Sequence, residues 1–259
     1  MTYSISKYLI NKEMIFPKSL KNATLVLLFF LLTFCSLNLR ILAQTEPNIW
    51  DNKGWDRHTL GTADNETYLS QDEKDVIYHL NMARTNPAKY AKEFLEPMLR
   101  FYKDKNYKEP GWDYYTVTEE GISPLREAIK VLKNLKPVNP LEPSFGICLA
   151  ALDHARDQSK TGEIGHSGKD RSTVDSRIER YGVWKGNVSE SISYGFKSGR
   201  EIVSQLLIDD GVPERGHRFM LLSSDFRLAG VSVMTHKKYG SICVIDFATE
   251  FFQKKTGKN

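Results

Sequence analysis

Apolar positions along the chain change their period several times, and those changes divide it into elements. Ser70 and Glu73 form a capping box, and Val76, Ile77, Leu80, Ala83 and Arg84 follow at helical spacing. Asn86-Pro87 caps and restarts a second helix to about Leu95. Residues 100–123 carry Phe101, Tyr102, Tyr107, Trp112, Tyr114 and Tyr115 with no helical period, which reads as an aromatic insertion packed on the surface of the core. Residues 124–135 predict a short amphipathic helix, closed by Pro137 and Pro140. Pro143 opens a helix with Ile147, Ala151, His154 and Gln158 along one side, and Gly162 ends it. Ser172 and Asp175 start another, with Val174, Ile178 and Tyr181 as its stripe and Gly182 as its stop.

Period two over Asn187–Tyr194 predicts a strand that carries Glu190 at its middle. Ser198 and Glu201 form a second capping box, ahead of Ile202, Val203, Leu206 and Leu207. Leu228–Thr235 and Ser241–Phe247 predict two strands joined by a His236–Gly240 turn. The sum is an α+β domain with a small, largely antiparallel sheet. Its core draws on Val76, Leu80, Leu149, Leu152, Ile178, Leu206, Val231, Val233 and Val244.

The first 43 residues follow different rules. Lys18 and Lys21 precede the apolar run Leu25–Phe34, and Ile41-Leu-Ala43 ends in a small residue before Gln44. Those are the parts of a secretory signal, removed after Ala43, with Met1 or Met14 as its start. A single membrane anchor is the competing reading, but the run is short for a bilayer span. Cys35 lacks the small residues usual before a lipidated cysteine. Residues 44–69 are polar and rich in turn formers, a loosely packed lead-in to one domain over residues 70–252, with 253–259 as a tail.

Composition narrows the function. The chain has 259 residues, 41% hydrophobic and 26% charged, which excludes a mainly disordered or a polytopic membrane protein. The formal charge of +4 sits in residues 1–43, where five basic residues face one acidic residue; 31 of each sign remain beyond them. A neutral body has no built-in drive toward nucleic acid or anionic lipid. Beyond Cys35 only Cys148 and Cys243 remain, too few for a disulfide scaffold; they read as buried thiols, though they could pair in an oxidising compartment.

The candidate chemistry is a set of histidines and acids. His166 lies in the polar loop Gly165-His-Ser167, Glu190 lies mid-strand, and Asp209-Asp210 end a helix shortly before Gly216-His217-Arg218. Carboxylates at a helix C-terminus oppose the dipole, so the pair calls for Arg215, Arg218 or a bound cation as a partner, or else sits in an exposed turn. His154 reads as a satisfied core histidine, and His58, His79 and His236 have no carboxylate pattern around them. Cys-x-x-Cys, His-Glu-x-x-His and Gly-x-Ser-x-Gly motifs are absent.

Four stretches in order carry a family resemblance. They are Leu80-Asn-Met-Ala-Arg-Thr-Asn-Pro-Ala-Lys-Tyr90, then Leu149-Ala-Ala-Leu-Asp-His-Ala155 followed by Gly165-His-Ser167, then Glu190-Ser-Ile-Ser-Tyr-Gly195, and finally Ile208-Asp-Asp-Gly-Val-Pro-Glu-Arg-Gly-His-Arg218. From Ser70 to Phe252 the chain resembles the CAP superfamily of cysteine-rich secretory proteins, venom antigens and pathogenesis-related proteins, in its bacterial, disulfide-free form. The resemblance implies an α-β-α sandwich with one cleft, lined by two histidines and two acids. Carried over, these are His166, His217 and Glu190, with Asp209 or Asp210 in the place of the second acid. Ser191 stands where the family has Asn.

The resemblance implies a secreted, extracellular or periplasmic, non-catalytic binding module for a small apolar, lipid-like ligand or an extracellular partner. It implies no nucleic-acid partner and no stable membrane insertion once the signal is gone. A divalent metal such as zinc would be held weakly by His166 and His217, because two histidines fall short of the three protein ligands common in catalytic zinc sites. The alternative is a hydrolase, metal-dependent or using Glu190 and His217 as base and acid. A structural surface protein with a relict cleft is the third reading.

Overall fold

The computed structural model describes residues 54–254, which lie in one compact unit. The signal-like segment 1–43, the start of the lead-in and the last five residues lie outside the described residues.

Short helical segments and a small sheet build the first half. A single helical turn, α1 (Arg57–Leu60), precedes α2 (Gln71–Thr85). Ser70 and Glu73 cap α2 reciprocally, as their spacing requires. Asn86 ends α2 and caps α3 (Pro87–Tyr90), whose first residue is the proline. The chain continues through a π turn, Ala91–Leu95, and a 3₁₀ turn, Glu96–Phe101. The aromatic insertion then forms a small antiparallel sheet of its own, β1 (Tyr102–Lys103), β2 (Asn106–Tyr107) and β3 (Thr116–Val117). Trp112 stacks on Tyr114 and meets Tyr107 edge-on, so these rings pack largely on one another.

The second half holds α4 (Ser123–Asn134), β4 (Glu142–Pro143), α5 (Phe145–Thr161), α6 (Val174–Glu179), β5 (Gly182–Tyr194), α7 (Gly199–Ile208), α8 (Gly216–Leu222), β6 (Leu228–His236) and β7 (Gly240–Gln253). The main sheet has the order β4-β6-β7-β5; only the two-residue β4 pairs in parallel. Helices flank both faces, so the architecture is an α-β-α sandwich of the α+β class. Gly182 starts β5 and does not end a helix; Arg180 and Tyr181 close the last turn of α6.

Two glycines are explained by geometry. Gly162 adopts a left-handed φ of 76° and caps α5. Gly230 lets α5 lie against the sheet, because a Cβ there would stand 2.3 Å from the carbonyl carbon of Ile147. That close approach turns Ile147, Cys148 and Ala151 inward and leaves Leu149 and Leu152 half-buried, contrary to the core expected of α5. Val233 is likewise half-buried, while Val76, Leu80, Ile178, Leu206, Val231 and Val244 are buried as expected.

The lead-in is packed more tightly than its composition suggests. Leu60, Ala63 and Leu69 are buried. Asn81 binds the Leu60 and Leu141 carbonyls and accepts from the Leu141 N–H, tying the lead-in, α2 and the approach to β4 together. Arg84 donates to the carbonyls of Asn139, Leu221, Ser223 and Phe226. Burial pulls its guanidinium down to a pKa of about 10, and the four acceptors offset the lost hydration. Asn81, Arg84, Asn86 and Pro87 of the first motif are therefore structural.

Candidate functional site: two histidine–carboxylate pairs

Glu190 is the first centre. On β5 its side chain points to the face covered by α5 and α6, while Ser193 on the opposite face meets Gln205 of α7. Its Oε1 lies 2.8 Å from His166 Nδ1, and its Oε2 accepts from Arg177 Nη2 at 2.7 Å. Burial alone would raise this carboxyl, but the His166 hydrogen bond and the charges of Arg177 and the histidines hold it below the usual range. A carboxylate only accepts, so His166 Nδ1 carries the proton and a neutral ring has its lone pair on Nε2.

Three further residues surround this centre: His154, which the sequence set aside as a core histidine, and Arg177 and Asp246, which it did not single out. His154 Nε2 lies 3.9 Å from Glu190 and 2.9 Å from the Gly165 carbonyl, and burial lowers its pKa, which favours the neutral ring. Arg177 also donates to the carbonyls of His166 and Ser172, so it fixes the loop that carries His166. Its only sequence signal is a cation in the α6 stripe. Asp246 lies directly across the strand pair from Glu190 and is wholly buried. Neither of its carboxyl oxygens accepts from a donor group, and the group it can hydrogen-bond, once protonated, is the Glu190 carboxylate. Burial, then the Glu190 charge, raises its pKa well above the ordinary 3.8. A carboxyl among the apolar residues Cys243–Phe247 was the signal available for it.

The second centre lies in the other helical layer. Asp209 caps the C-terminus of α7 in a left-handed conformation, φ 59°. Its Oδ1 accepts from His217 Nδ1 at 2.6 Å and its Oδ2 from the His217 N–H at 2.9 Å. The unfavourable helix-end charge is thus met by the start of α8. Asp210 turns away and accepts from the backbone N–H groups of Glu119 and Glu120, anchoring the end of the aromatic insertion. Neither the Arg215 nor the Arg218 guanidinium meets these two carboxylates, although the Arg218 backbone N–H donates to Asp209 Oδ2 at 3.4 Å. Arg215 pairs with Glu120 and Glu127, and Arg218 pairs with Glu127 and donates to the Leu207 and Ile208 carbonyls. The turn is rigid because arginines hold it from behind.

Beside this turn runs an open groove of about 440 Å³, with Val131, Leu135, Pro213, Phe219 and Leu222 in its walls. Phe219, two residues beyond His217, is 70% exposed.

The structure thus assembles His166 with Glu190 and His217 with Asp209, and leaves Asp210 outside both. Among the described residues, no three His, Cys, Asp or Glu side chains stand together to hold a metal ion. The donor set does not fit a closed metal centre. Cys148 and Cys243 are free and buried, and no described helix is long and apolar enough to cross a membrane.

Residues 124–247 match the family model for the cysteine-rich secretory protein family, CAP. The match covers just under half of the chain, and the first of the four motif stretches lies outside the matched residues. Three solved structures are similar. An extracellular protein with an SCP domain from Bacillus anthracis str. Ames is 20% identical over 44% of this chain and 35% of its own, with a TM-score of 0.36. An outer surface protein from Borrelia burgdorferi is 20% identical over 45% of this chain and 80% of its own, at 0.37. A cysteine-rich secretory protein from Staphylococcus aureus subsp. aureus Mu50 is 15% identical over 62% of this chain and 48% of its own, at 0.36. The chain therefore spans about a third of the first of these and about half of the third. No curated protein matches it.

Proposed function

We propose that the protein is an extracellular, non-catalytic CAP-domain module that binds a small lipid-like molecule in the groove beside His217. The observation that carries this reading is the exposed Phe219 in an apolar groove next to a rigid turn. Leaving a large ring in water is costly unless a ligand covers it, at about 25 cal/mol for each Å² of apolar surface. Glu127, Arg215 and Arg218, which line the groove, supply a fixed polar edge for a ligand head, and its apolar walls take the chain. The leader-like residues 1–43 support the extracellular site of action.

The hydrolase reading has less support. Glu190 and His217 belong to opposite helical layers, and Glu190 is already occupied by Arg177 and His166, which suits a positioning role better than that of a general base. Burial pushes the Cys148 thiol up to about 12, which disfavours its thiolate at neutral pH. A zinc ion shared by His166 and His217 has little support, because their pairs lie in different helical layers; any zinc would bind each ring singly and weakly.

The test is binding of a fluorescent fatty-acid analogue by the wild type and by Phe219→Asp. Loss of binding, with the fold intact by circular dichroism, is the expected result; equal binding refutes the groove. Calorimetry with zinc on the wild type and the His166→Ala, His217→Ala double variant tests the metal. Equal affinity removes it from the reading.

A further inference from the structure

A second groove lies on the far side of the Glu190 centre, about 570 Å³ in volume, between α5, the 168–172 loop and α6. Its lining carries five cationic side chains against three carboxylates. The carboxylates already have donors. Asp153 and Asp170 both receive Arg180, at 3.0 and 2.7 Å, so this arginine braces the groove from side to side. Asp157 accepts the backbone N–H of Lys169. The cations are less well matched. Arg177 is neutralised by Glu190 and Arg180 by the two aspartates. Arg156 and Lys160, one turn apart on α5, and Lys169 across from them are exposed and have no carboxylate partner within 4 Å among the described residues.

The inner wall adds a second observation. His154 and Arg177 line this groove, and both are almost wholly buried. His154 Nδ1 and Arg177 Nε have no hydrogen-bonding partner, although an unpaired buried polar nitrogen costs about 1–3 kcal/mol. The unpaired Arg177 N–H behind three unmatched cations carries the positive character from rim to floor; the neutral His154 ring, with Nε2 toward the Gly165 carbonyl, leaves Nδ1 as an acceptor and adds none. A compact oxyanion with several acceptor oxygens answers both features: it neutralises the rim and offers acceptors toward the wall.

We infer that this groove is a binding site for a phosphate-type anion, carried either by a free phosphate compound or by a lipid headgroup. It shares none of its lining with the apolar groove, so it stands or falls apart from the function proposed above. Because Arg177 also holds Glu190 and the His166 loop, an anion here lies one side chain away from the first histidine–carboxylate pair.

Calorimetry with sodium pyrophosphate on the secreted protein tests the inference. The comparison variant is Arg156→Gln, Lys160→Gln, Lys169→Gln, three exposed changes that leave the core untouched. A control variant carries Lys103→Gln, Lys105→Gln and Lys108→Gln on the aromatic insertion. The expected result is binding that falls tenfold or more in the groove variant, persists in the control and weakens with added sodium chloride. Flotation with phosphatidylglycerol vesicles against phosphatidylcholine vesicles separates the sources. Groove-dependent capture by the anionic vesicles assigns a headgroup, and pyrophosphate binding without capture assigns a soluble phosphate. No pyrophosphate binding by the wild type, or an equal loss in groove and control variants, overturns the inference.

Discussion

Replacing Asp246 with asparagine should stabilise the protein, and by more as the pH rises. Asp246 faces Glu190 across the β5–β7 pair in a wholly buried position, and Glu190 already carries the negative charge that Arg177 neutralises. A second charge there would have neither water nor a partner, so the folded state holds Asp246 protonated above its ordinary value of 3.8. The sign follows from proton counting. Above 3.8 the unfolded chain releases this proton while the folded chain keeps it, so stability falls with pH until the folded carboxyl ionises. The slope is about 1.4 kcal/mol per pH unit, or roughly 3–6 °C in Tm for a domain of this size. Asparagine has the shape of the protonated acid and no proton to lose, so the variant lacks this slope. Thermal and urea unfolding of both proteins at half-unit steps from pH 4.5 to 8 would show the curves diverging, with Asp246→Asn the more stable. A constant difference across that range, or a variant less stable at every pH, would refute the reasoning.

Other perturbations are expected to act in defined directions. Glu190→Gln should destabilise by about 3–5 kcal/mol at neutral pH, because it leaves the Arg177 charge buried and unpaired; urea unfolding measures it. Its pKa is lowered on folding, so the wild type's advantage should be present above 4.5 and shrink as pH falls through the lower folded value. Arg84→Met should cost at least about 3 kcal/mol, since four carbonyls lose their shared donor, and equilibrium unfolding would show a lower midpoint. Cys148 and Cys243 should resist a thiol reagent in the folded protein and both react in denaturant, because burial raises both pKa values and no disulfide joins them.

The sequence was most legible where a local rule acts alone. Ser70 with Glu73 and Ser198 with Glu201 cap their helices as spacing requires, and Gly162 ends α5. Strand pairing brought Glu190 opposite Asp246, but no local signal announces which strand lies beside β5, so the second carboxyl stayed hidden. Likewise the role of Asp209 against Asp210 is decided by a left-handed φ at one residue, which sends adjacent side chains to different partners. His154 was read as a satisfied core histidine; it is buried, but one of its nitrogens lacks a partner and the other faces Glu190. Arg177, on a helix of six residues, left only the faint trace of a cation in the α6 stripe, which says nothing of its tertiary contacts.

The Arg84 clamp has a consequence for how the chain reaches its fold. Three of its four acceptors lie 137, 139 and 142 residues further along, at Leu221, Ser223 and Phe226. Helix α2 can form early, but its guanidinium stays without those acceptors until nearly the whole domain has been synthesised. Such non-local closure slows folding and makes it depend on late segments. A nascent or truncated chain that ends before Leu221 would therefore stay open. Closure of the domain is thereby tied to the arrival of its last segments.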